Sequence, residues 1–349
     1  MMKDLRILIT AAGSPTWPQM AQDLKNNGER NITIIGVDIN VDPTMLQYID
    51  KVYYAPAVSA PNYINTLLDI CAKERIDIFV PGMSQELEIV LDRIKDFEGQ
   101  NVKVAISKGE GLLIANNKIK LFKYLQNNGF EVPRFYIASS IEEVIEACSL
   151  IGYPKKSVCI KIGNSAGSRG VRIIEANQSR FDIFINEKPS SSKVTLEEFI
   201  SILEEANEIP ELMVMEFLPG HEYCLDILAD DGEVKYIVGQ EVLRLNASTP
   251  IKAVVQKREE IYKLGSQIVK SLSLSGNIGF DFKHDSNGKL WITEINPRIT
   301  QSLSVVTASG ADLLYYRIKQ LLGEEIPSTI SIKYGTTIVR RYCEMFYVE

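Results

Sequence analysis

The stretch from Gly276 to Arg298, GNIGFDFKHDSNGKLWITEINPR, is the feature that most restricts how this chain can fold. Two runs rich in apolar residues flank Asn287-Gly288, the dipeptide favoured in two-residue type I′ turns. The stretch therefore predicts a β-hairpin in which Ser286 faces Lys289. Because side chains alternate between the faces of a strand, this register also fixes which residues share a face.

Alternation with a period of two divides the predicted hairpin into a polar face and an apolar face. The polar face carries Gly279, Asp281, Lys283, Ile292, Glu294 and Asn296. The apolar face carries Ile278, Phe280, Phe282, Trp291, Thr293 and Ile295, and it supplies a surface for a core.

Asp281 and Glu294 lie directly opposite each other in this register, and two carboxylates so placed repel and destabilise a hairpin. A bound divalent cation would offset this repulsion. Carboxylate and amide oxygens suit a hard ion such as Mg²⁺, which also takes phosphate oxygens and water. For the pair alone, a solvated acidic edge is the alternative. Asn296 on the same face, with Arg298 close behind, favours a site for metal and phosphate.

The composition is that of an ordinary globular chain, with 349 residues, 45% hydrophobic and 24% charged, enough for two or three domains. A net charge of −7 and a pI near 5.2 argue against a dedicated nucleic-acid binder. The five cysteines are scattered without a CxxC motif, which indicates a reduced protein of the cytoplasm. We expect no cleavable signal and no membrane span, since no apolar run approaches about 20 residues.

The first 107 residues alternate apolar strands with helices. Strands are predicted at 5–12, 32–40, 76–82 and 102–107, and helices at 16–27, 61–74 and 84–97. This alternation is typical of a parallel sheet with helices on both faces. The first loop, AAGSPTW, is not GxGxxG, so we predict no dinucleotide site. A ligand at the strand ends would meet Gly13, Ser14, Asp38 and Glu86, which suit turns and caps equally well.

The remainder mixes strands and helices less regularly around a glycine- and serine-rich loop, residues 163–170. Such a loop brings backbone N–H groups close to an anion, although it lacks the order of a P-loop. Helices are predicted at 117–127, 140–150, 195–206, 257–274 and 310–322, and strands at 157–162, 171–174, 212–217, 222–229, 236–245 and 336–346. Thr195 and Glu198 predict a capping box at the start of the third of these helices.

Four motifs in order make the chain resemble the ATP-grasp superfamily, in the branch of the carbamoyl-phosphate synthase large chain and biotin carboxylase. They are NK before LxxxGFxVP, then IKIGNSAGSRGV, MEFLPGHEYCLD and GFDF…WITEINPR. The resemblance covers nearly the whole chain and implies a fold of mixed α/β and α+β class. It implies a Rossmann-like pre-ATP-grasp domain at 1–107, a linker helix and small ATP-grasp subdomain at 108–215, and a large subdomain with the Mg²⁺ site at 216–349.

The resemblance also implies which residues bind ATP. Lys118 and Lys161 would contact the phosphates, and Lys161 would also approach the adenine edge. A flexible loop would fold over the phosphates, formed by Ser165, Ala166, Gly167, Ser168, Arg169, Gly170 and Val171. Adenine would be read at Glu216, Phe217 and Leu218, and Glu222 would bind the ribose hydroxyls.

For the metal, the resemblance implies that Asp281, Glu294 and Asn296 hold two Mg²⁺ ions, with Mn²⁺ as a candidate substitute. Arg298 would neutralise the γ-phosphate and the developing acyl phosphate, so that Arg298 and Lys161 are the catalytic candidates. Asp281 stands where relatives often carry Glu, and Arg169 where Lys is common. A further basic group for the γ-phosphate is either Arg244 or Lys252, and the motifs leave that choice open.

The implied activity is an ATP-dependent ligase that activates a carboxylate as an acyl phosphate and joins it to an amine or thiol, releasing ADP and phosphate. The alternatives are phosphorylation of bicarbonate or carbamate, as in carbamoyl-phosphate synthesis and carboxylases, and a non-catalytic ATP-binding protein. A nucleotide-dependent oxidoreductase is disfavoured because the dinucleotide glycines are absent. Candidate residues lining the substrate are Ser14, Glu86, Arg298, Gln301 and Ser302.

We therefore expect small-molecule carboxylate and amine substrates as partners, with an amino acid, a peptide or an amino sugar as the acceptor. Neither nucleic acid nor a membrane is expected. A homodimer is the candidate assembly, and the cytoplasm is the expected location.

Overall fold

The structure is a computed structural model that describes residues 2–163, 169–176, 178–188, 191–246, 249–341 and 343–347. The chain divides into two compact units. The first unit comprises residues 1–116, 223–281 and 295–349, and the second comprises 117–222 and 282–294. The second unit is therefore assembled from two separate stretches, and the three-part division expected from the sequence stays a prediction.

The first unit opens on a five-stranded sheet of order β3-β2-β1-β4-β5 in which every pairing is parallel. Its elements are β1 Leu5–Ile9, α1 Trp17–Lys25, β2 Ile32–Asp38, β3 Lys51–Tyr54, α2 Tyr63–Glu74, β4 Ile78–Val80, α3 Leu87–Asp92, α4 Ile94–Gly99, β5 Lys103–Val104 and α5 Glu110–Ala115. Ile7 and Leu8 on β1 enter two different cores, one with α1 and one with α2. Helices thus cover both faces of the sheet, and this prediction is confirmed.

The single helix predicted over residues 84–97 is wrong, because the structure divides this segment into shorter elements. Residues 84–97 form a 3₁₀ turn at Ser84–Glu86 and then two short helices, α3 and α4, instead of one helix. The break falls at Arg93, whose backbone angles of φ −108° and ψ 16° are not helical. The apolar spacing continues across the break, which is why the sequence pattern does not reveal it.

The second unit contains a sheet of order β6-β10-β7-β8-β9, with β10 antiparallel to both of its neighbours. Its elements are α6 Lys118–Asn127, β6 Phe135–Ala138, α7 Ile141–Ile151, β7 Val158–Ile162, β8 Val171–Ile174, α8 Arg180–Asn186, β9 Lys193–Val194, α9 Leu196–Glu204 and β10 Leu212–Glu216. The predicted capping box begins α9: Thr195 Oγ1 accepts from Glu198 N–H at 3.3 Å, and Glu198 Oε2 accepts from Thr195 N–H at 2.9 Å.

The remaining sheet has the order β15-β14-β11-β12-β13-β16. Its strands and the helices near them are β11 Glu222–Asp230, β12 Glu233–Asn246, β13 Thr249–Val255, α10 Glu259–Ser271, β14 Gly276–His284, β15 Leu290–Asn296, α11 Leu303–Ala308, α12 Leu313–Leu322 and β16 Thr337–Val339. Strand β13 and helix α11 were not predicted, and the final strand is shorter than the predicted 336–346. None of the helices in the described ranges is long and apolar enough to cross a membrane.

The hairpin β14–β15 forms as predicted, but its turn differs. Asp285 N–H donates to Lys289 O at 2.9 Å, and Gly288 N–H donates to Asp285 O at 3.1 Å. Gly288 has φ 82°, whereas Asn287 keeps a negative φ, so a type I′ turn at these two residues is wrong. The connection is a three-residue loop, and Lys289 faces Asp285 instead of Ser286.

Burial along β15 also departs from strict alternation. Ile292, predicted on the polar face, is 1% exposed, while Trp291 and Thr293 from the predicted apolar face are partly exposed. Ile295 is buried as predicted, together with Ile278, Phe280 and Phe282. The apolar face is therefore correct on β14 and only partly correct on β15. The direct pairing of Asp281 with Glu294 stays a prediction.

Candidate active site

In the first unit, three of the predicted metal and phosphate residues contact one another. Asn296, at the end of β15, donates from Nδ2 to Asp281 Oδ2 at 3.0 Å. Arg298 donates from Nη2 to Asn296 Oδ1 at 3.2 Å. The other oxygen of the Asp281 carboxylate accepts from Cys224 Sγ at 3.1 Å. The carboxylate is thus held from both sides before any cation is considered.

The Arg298 guanidinium is fixed by a residue that the sequence did not reveal. Its Nε donates to Ser84 Oγ at 2.9 Å, and its Nη1 donates to Ile299 O at 2.7 Å. Ser84 follows β4 at the carboxyl end of the parallel sheet, the edge at which ligands of such sheets bind. The position of Ser84 at this edge of the sheet could have indicated its role, because Ser84 belongs to none of the motifs.

Glu86 was predicted as a residue lining the substrate, and the structure places its side chain in the interior. It is 0% exposed and accepts hydrogen bonds from Thr10 Oγ1 at 2.6 Å, from the Tyr63 hydroxyl, and from Met83 N–H at 2.9 Å. Burial raises the pKa of this carboxyl above its ordinary value. In this arrangement Glu86 supports the segment that carries Ser84.

The other predicted lining residues are engaged in local contacts. Ser302 is 4% exposed, and Gln301 Oε1 accepts from Thr249 Oγ1 at 2.8 Å. Ser14 Oγ lies 3.0 Å from Thr16 Oγ1. Their contact with a substrate stays a prediction.

Two strand-end residues that the sequence placed near a ligand contact each other. Gly13 N–H donates to Asp38 Oδ2 at 2.9 Å, which holds the first loop against the end of β2. This contact suits the turn role that the sequence left open for both residues.

In the second unit, a predicted phosphate ligand contacts a predicted metal ligand. Lys118 Nζ lies 2.9 Å from Glu294 Oε2, and the two side chains are 13% and 32% exposed. Asn117 caps the helix that carries Lys118, because its side chain accepts from Ile119 N–H at 3.0 Å. The start of α6 therefore places the ammonium group of Lys118 beside the carboxylate of Glu294 on β15.

In the second unit, the carboxyl of Glu222, predicted to bind the ribose, is influenced by nearby charges. Burial raises the pKa of the Glu222 carboxyl, Lys283 opposes this rise, repulsion from Glu294 adds to it, and Lys161 also opposes it. Lys283 Nζ lies 5.9 Å from the centroid of the Phe217 ring. Binding of the ribose by Glu222 stays a prediction.

The Glu216 carboxylate, predicted near the adenine amino group, is bound by a neighbouring cation. Arg134 Nη2 donates to Glu216 Oε1 at 2.9 Å, and Arg134 N–H donates to Oε2 at 3.2 Å. Leu218, two residues beyond β10, is buried. Reading of adenine by the backbone of this segment stays a prediction.

The predicted phosphate loop is described only at its end. Arg169 and Gly170 precede β8, Gly170 has φ 63°, and its carbonyl accepts from Ile162 N–H at 3.0 Å. Glycine suits this position because a side chain there would be strained. Val171 begins β8. Ser165, Ala166, Gly167 and Ser168 lie outside the described residues.

The residues predicted to hold the metal are of the types that Mg²⁺ prefers. Across the described ranges, no group of three or more His, Cys, Asp or Glu side chains is arranged to hold a metal. Of the predicted ligands, Asp281 and Glu294 carry carboxylates and Asn296 carries an amide oxygen, and their joint binding of an ion stays a prediction. Mg²⁺ is commonly bound by one or two carboxylates together with phosphate oxygens and water.

The two candidates for a further γ-phosphate contact are neighbours in one sheet. Arg244 on β12 pairs with Lys252 on β13, and both residues are exposed. The pairing places both cations on the same pair of strands and leaves the choice between them open.

Two family models match separate parts of the chain. One, described as the PylC-like N-terminal domain, matches residues 7–105. The other, described as ATP-grasp in the biosynthetic pathway with Ter operon, matches residues 208–341. The two matches fall in the order that the motifs predicted, a domain before an ATP-grasp region.

Curated relatives match over most of the chain. The carbamoyl phosphate synthase large chain of Pseudothermotoga lettingae is 24% identical over 322 residues, which is 88% of this chain and 26% of the relative. The formate-dependent phosphoribosylglycinamide formyltransferase of Pyrococcus furiosus is 26% identical over 295 residues, 80% of this chain and 65% of the relative. The chain thus spans about a quarter and about two thirds of these relatives' lengths.

Solved structures of similar fold include the biotin carboxylase domain of Hydrogenobacter thermophilus 2-oxoglutarate carboxylase, crystallised with MgADP and bicarbonate. Its TM-score is 0.68 at 15% identity, over 95% of this chain and 73% of that one. The N5-carboxyaminoimidazole synthetase of Staphylococcus aureus gives 0.65 at 15% identity, over 94% and 80%. The predicted fold, a Rossmann-like domain followed by an ATP-grasp fold, is confirmed.

Proposed function

We propose that the chain is an ATP-grasp protein of the carbamoyl-phosphate synthase and biotin carboxylase branch and that it is an ATP-dependent carboxylate–amine ligase. It activates a carboxylate as an acyl phosphate and joins it to an amine or thiol, releasing ADP and phosphate. The observation that carries the proposal is the linked contact of Asp281, Asn296 and Arg298, three residues of the resemblance that hydrogen-bond to one another.

The chemistry follows from the poor reactivity of a carboxylate toward nucleophiles. Transfer of the γ-phosphoryl group gives an acyl phosphate, from which an amine displaces phosphate. In such a reaction the protein contributes positioning and charge neutralisation. Arg298, oriented by Ser84 and Asn296, would offset the negative charge that develops on the transferred group. Lys161 would act on the phosphates from β7.

Mg²⁺, when bound, would neutralise charge between the β- and γ-phosphates. Asp281, Glu294 and Asn296 are the residues that would hold it, and we propose two ions, with Mn²⁺ as a substitute. Lys118, Lys161 and the loop 165–171 would contact the phosphates. The segment 216–218 would read adenine, and Glu222 would bind the ribose.

Phosphorylation of bicarbonate or carbamate is the second candidate. It is favoured by the similarity to carbamoyl phosphate synthase large chains and to a biotin carboxylase domain crystallised with bicarbonate. Both candidates share ADP release and the same ATP site, and they differ only in the carboxylate that accepts the phosphoryl group.

The remaining expectations are part of the proposal. The substrates are a small-molecule carboxylate and an amine, and the assembly is a homodimer, as in the biotin carboxylase domain dimer of similar fold. The proposed location is the cytoplasm, because the cysteines are free thiols, four of them buried.

An ADP-release screen over paired substrates tests the proposal. Carboxylates, including bicarbonate, are each combined with an amino acid, a peptide, an amino sugar, ammonia or hydroxylamine, and ADP and phosphate are measured together. We expect ADP and phosphate in equal amounts from a limited set of pairs, with a hydroxamate where hydroxylamine is the amine. Release of AMP and pyrophosphate, or no turnover with any pair, contradicts the proposal.

A further inference from the structure

The first unit contains a cavity of about 660 Å³ that shares no lining residue with the metal and phosphate contacts described above. Its lining comes from β5 and the residues after it, from the end of β11, from the segment before β14, and from α12. Cavities of about 300 to 1,000 Å³ commonly hold small organic ligands. The cavity is therefore large enough for a ligand of its own.

The lining includes an arginine whose charge is buried without an ion pair. Arg317, on α12, is 7% exposed. Its Nη2 donates to Ile106 O at 3.2 Å and its Nη1 donates to Gln320 Oε1 at 3.4 Å, whereas its Nε has no hydrogen-bond partner in the described ranges. No carboxylate of the described residues forms an ion pair with this guanidinium. A buried guanidinium has five N–H donors and is costly without an anionic partner, which a bound ligand would supply.

The guanidinium of Arg317 lies against the backbone where β14 begins. Gly276, the first residue of β14, has φ 86°, and a Cβ at this position would lie 3.0 Å from Arg317 Nε. Glycine therefore leaves the space that the guanidinium occupies. Asp281, the predicted metal ligand, is five residues further along β14, which corresponds to roughly 17 Å of strand. The cavity and the predicted metal ligand thus lie at different places along one strand.

The charged residues that line the cavity are balanced in sign. They comprise three cations and three carboxylates, namely Lys103, Lys108, Arg317, Glu98, Asp230 and Asp231. Lys108 and Glu98 already form an ion pair, with Nζ 2.7 Å from Oε1. A ligand with several negative charges, such as a nucleotide, would be repelled by the carboxylates at the end of β11. A ligand with one carboxylate and one ammonium group complements both signs.

We propose that this cavity is a second ligand site, which binds a small zwitterion of the amino acid or short peptide class. The carboxylate of the ligand pairs with Arg317 and gives the buried guanidinium the anion that it lacks. The ammonium group of the ligand pairs with Asp230, and Lys103 on β5 adds positive charge for the carboxylate. The inference does not depend on the proposed ligase reaction, because the site uses none of the residues proposed to bind ATP.

Isothermal titration calorimetry with the full chain tests the proposal. The probes are the common amino acids and the dipeptides glycylglycine, glycylglutamate and glycyllysine. We expect at least one probe to bind with a Kd below about 1 mM. Arg317→Met should weaken this binding by about thirtyfold, because a charge-assisted pair is lost, and Asp230→Asn should weaken it by about fivefold. Asp69→Asn, at an exposed carboxylate of α2, is the matched control and should bind the probe as the wild type does.

Chemically blocked forms of the same probe separate direct contact from a merely structural role. Conversion of the carboxylate to an amide should weaken binding to the wild type by at least about tenfold, with little further loss in Arg317→Met. N-acetylation should weaken binding to the wild type and add little to the loss in Asp230→Asn. Asp230 is exposed, so this second comparison stands even where Arg317→Met does not fold.

Three results would overturn the proposal. The first is that no probe binds the wild type with a Kd below about 10 mM. The second is that binding is unchanged in Asp230→Asn and Arg317→Met, or is lost in Arg298→Met, because the probe would then bind elsewhere. The third is that inorganic phosphate binds in an Arg317-dependent manner while the amino acids and dipeptides do not, because the site would then select an anion instead of a zwitterion.

Discussion

Asp226 is a carboxylate of the first unit that supports the segment around Arg298 without being exposed itself. It is 2% exposed and accepts hydrogen bonds from Gln240 Nε2 at 2.7 Å and from the Thr300 hydroxyl. Burial is the main cause that raises the pKa of this carboxyl from 3.8 to about 6. Because of this raised pKa, we expect the free energy of unfolding to depend on the protonation of Asp226.

The sign of this effect follows from proton binding. Between about pH 4 and pH 6 the folded protein keeps the Asp226 proton and the unfolded chain does not, so folding is favoured less as pH rises through this window. Relative to Asp226→Asn, the wild-type free energy of unfolding should fall by up to roughly 3 kcal/mol from pH 4 to pH 7.

Urea unfolding of both proteins at the two pH values measures this difference. Asp231→Asn, at an exposed turn carboxylate, is the control and should follow the wild type at both values. Parallel profiles for the wild type and Asp226→Asn would show that the buried carboxyl does not retain its proton.

At the scale of one element, the hairpin β14–β15 owes its turn to a side chain. Asp285 Oδ1 accepts from Asn287 N–H at 2.8 Å and from Lys289 N–H at 2.9 Å, and its Oδ2 accepts from Trp291 Nε1 at 3.0 Å. Aspartate side chains stabilise turns through such bonds to following backbone groups. These hydrogen bonds of the Asp285 side chain favour the three-residue loop, which explains why the Asn287-Gly288 dipeptide does not form the two-residue turn that it favours in isolation.

Removal of this side chain tests the explanation. Asp285→Ala should lower the free energy of unfolding by about 1 to 2 kcal/mol, since a few hydrogen bonds to a partly exposed charged group are lost. Chemical denaturation followed by tryptophan fluorescence measures the change. Ser286→Ala, in the same loop, should stay within about 0.5 kcal/mol of the wild type. An equal effect of the two substitutions would mean that the backbone alone determines the turn.

At the scale of the whole molecule, the sequence predicted what depends on local pattern. Apolar runs predicted the parallel sheet, and the Thr195 and Glu198 pair predicted the start of α9. The return of residues 282–294 to the second unit was not predictable, because it depends on contacts far apart in the chain. The Ser84 contact with Arg298 joins residues 214 positions apart, and no local pattern reports it.

The residues of the candidate site also fall into those that the sequence predicted and those that it did not. Motif order identified Asp281, Asn296 and Arg298, and the structure joins them through hydrogen bonds. Cys224 and Ser84 hydrogen-bond to Asp281 and Arg298; Cys224 lies within the MEFLPGHEYCLD motif without a role assigned there, and Ser84 lies outside every motif. Sequence motifs can therefore predict groups proposed to act on a ligand, whereas the contacts that hold those groups in place depend on the three-dimensional packing.

The measurement that tests the central claim most directly is ADP release by Glu294→Gln, with the substrate pair that turns over in the wild type. The change keeps the size of the side chain, removes the carboxylate proposed to hold Mg²⁺, and breaks its ion pair with Lys118. Glu211→Gln, at an exposed glutamate of the same unit, is the control. We predict that Glu294→Gln lowers ADP release by about a hundredfold to a thousandfold while Glu211→Gln leaves it unchanged. Unchanged turnover in Glu294→Gln would contradict the assignment of this hairpin as the platform for an ADP-forming ligase.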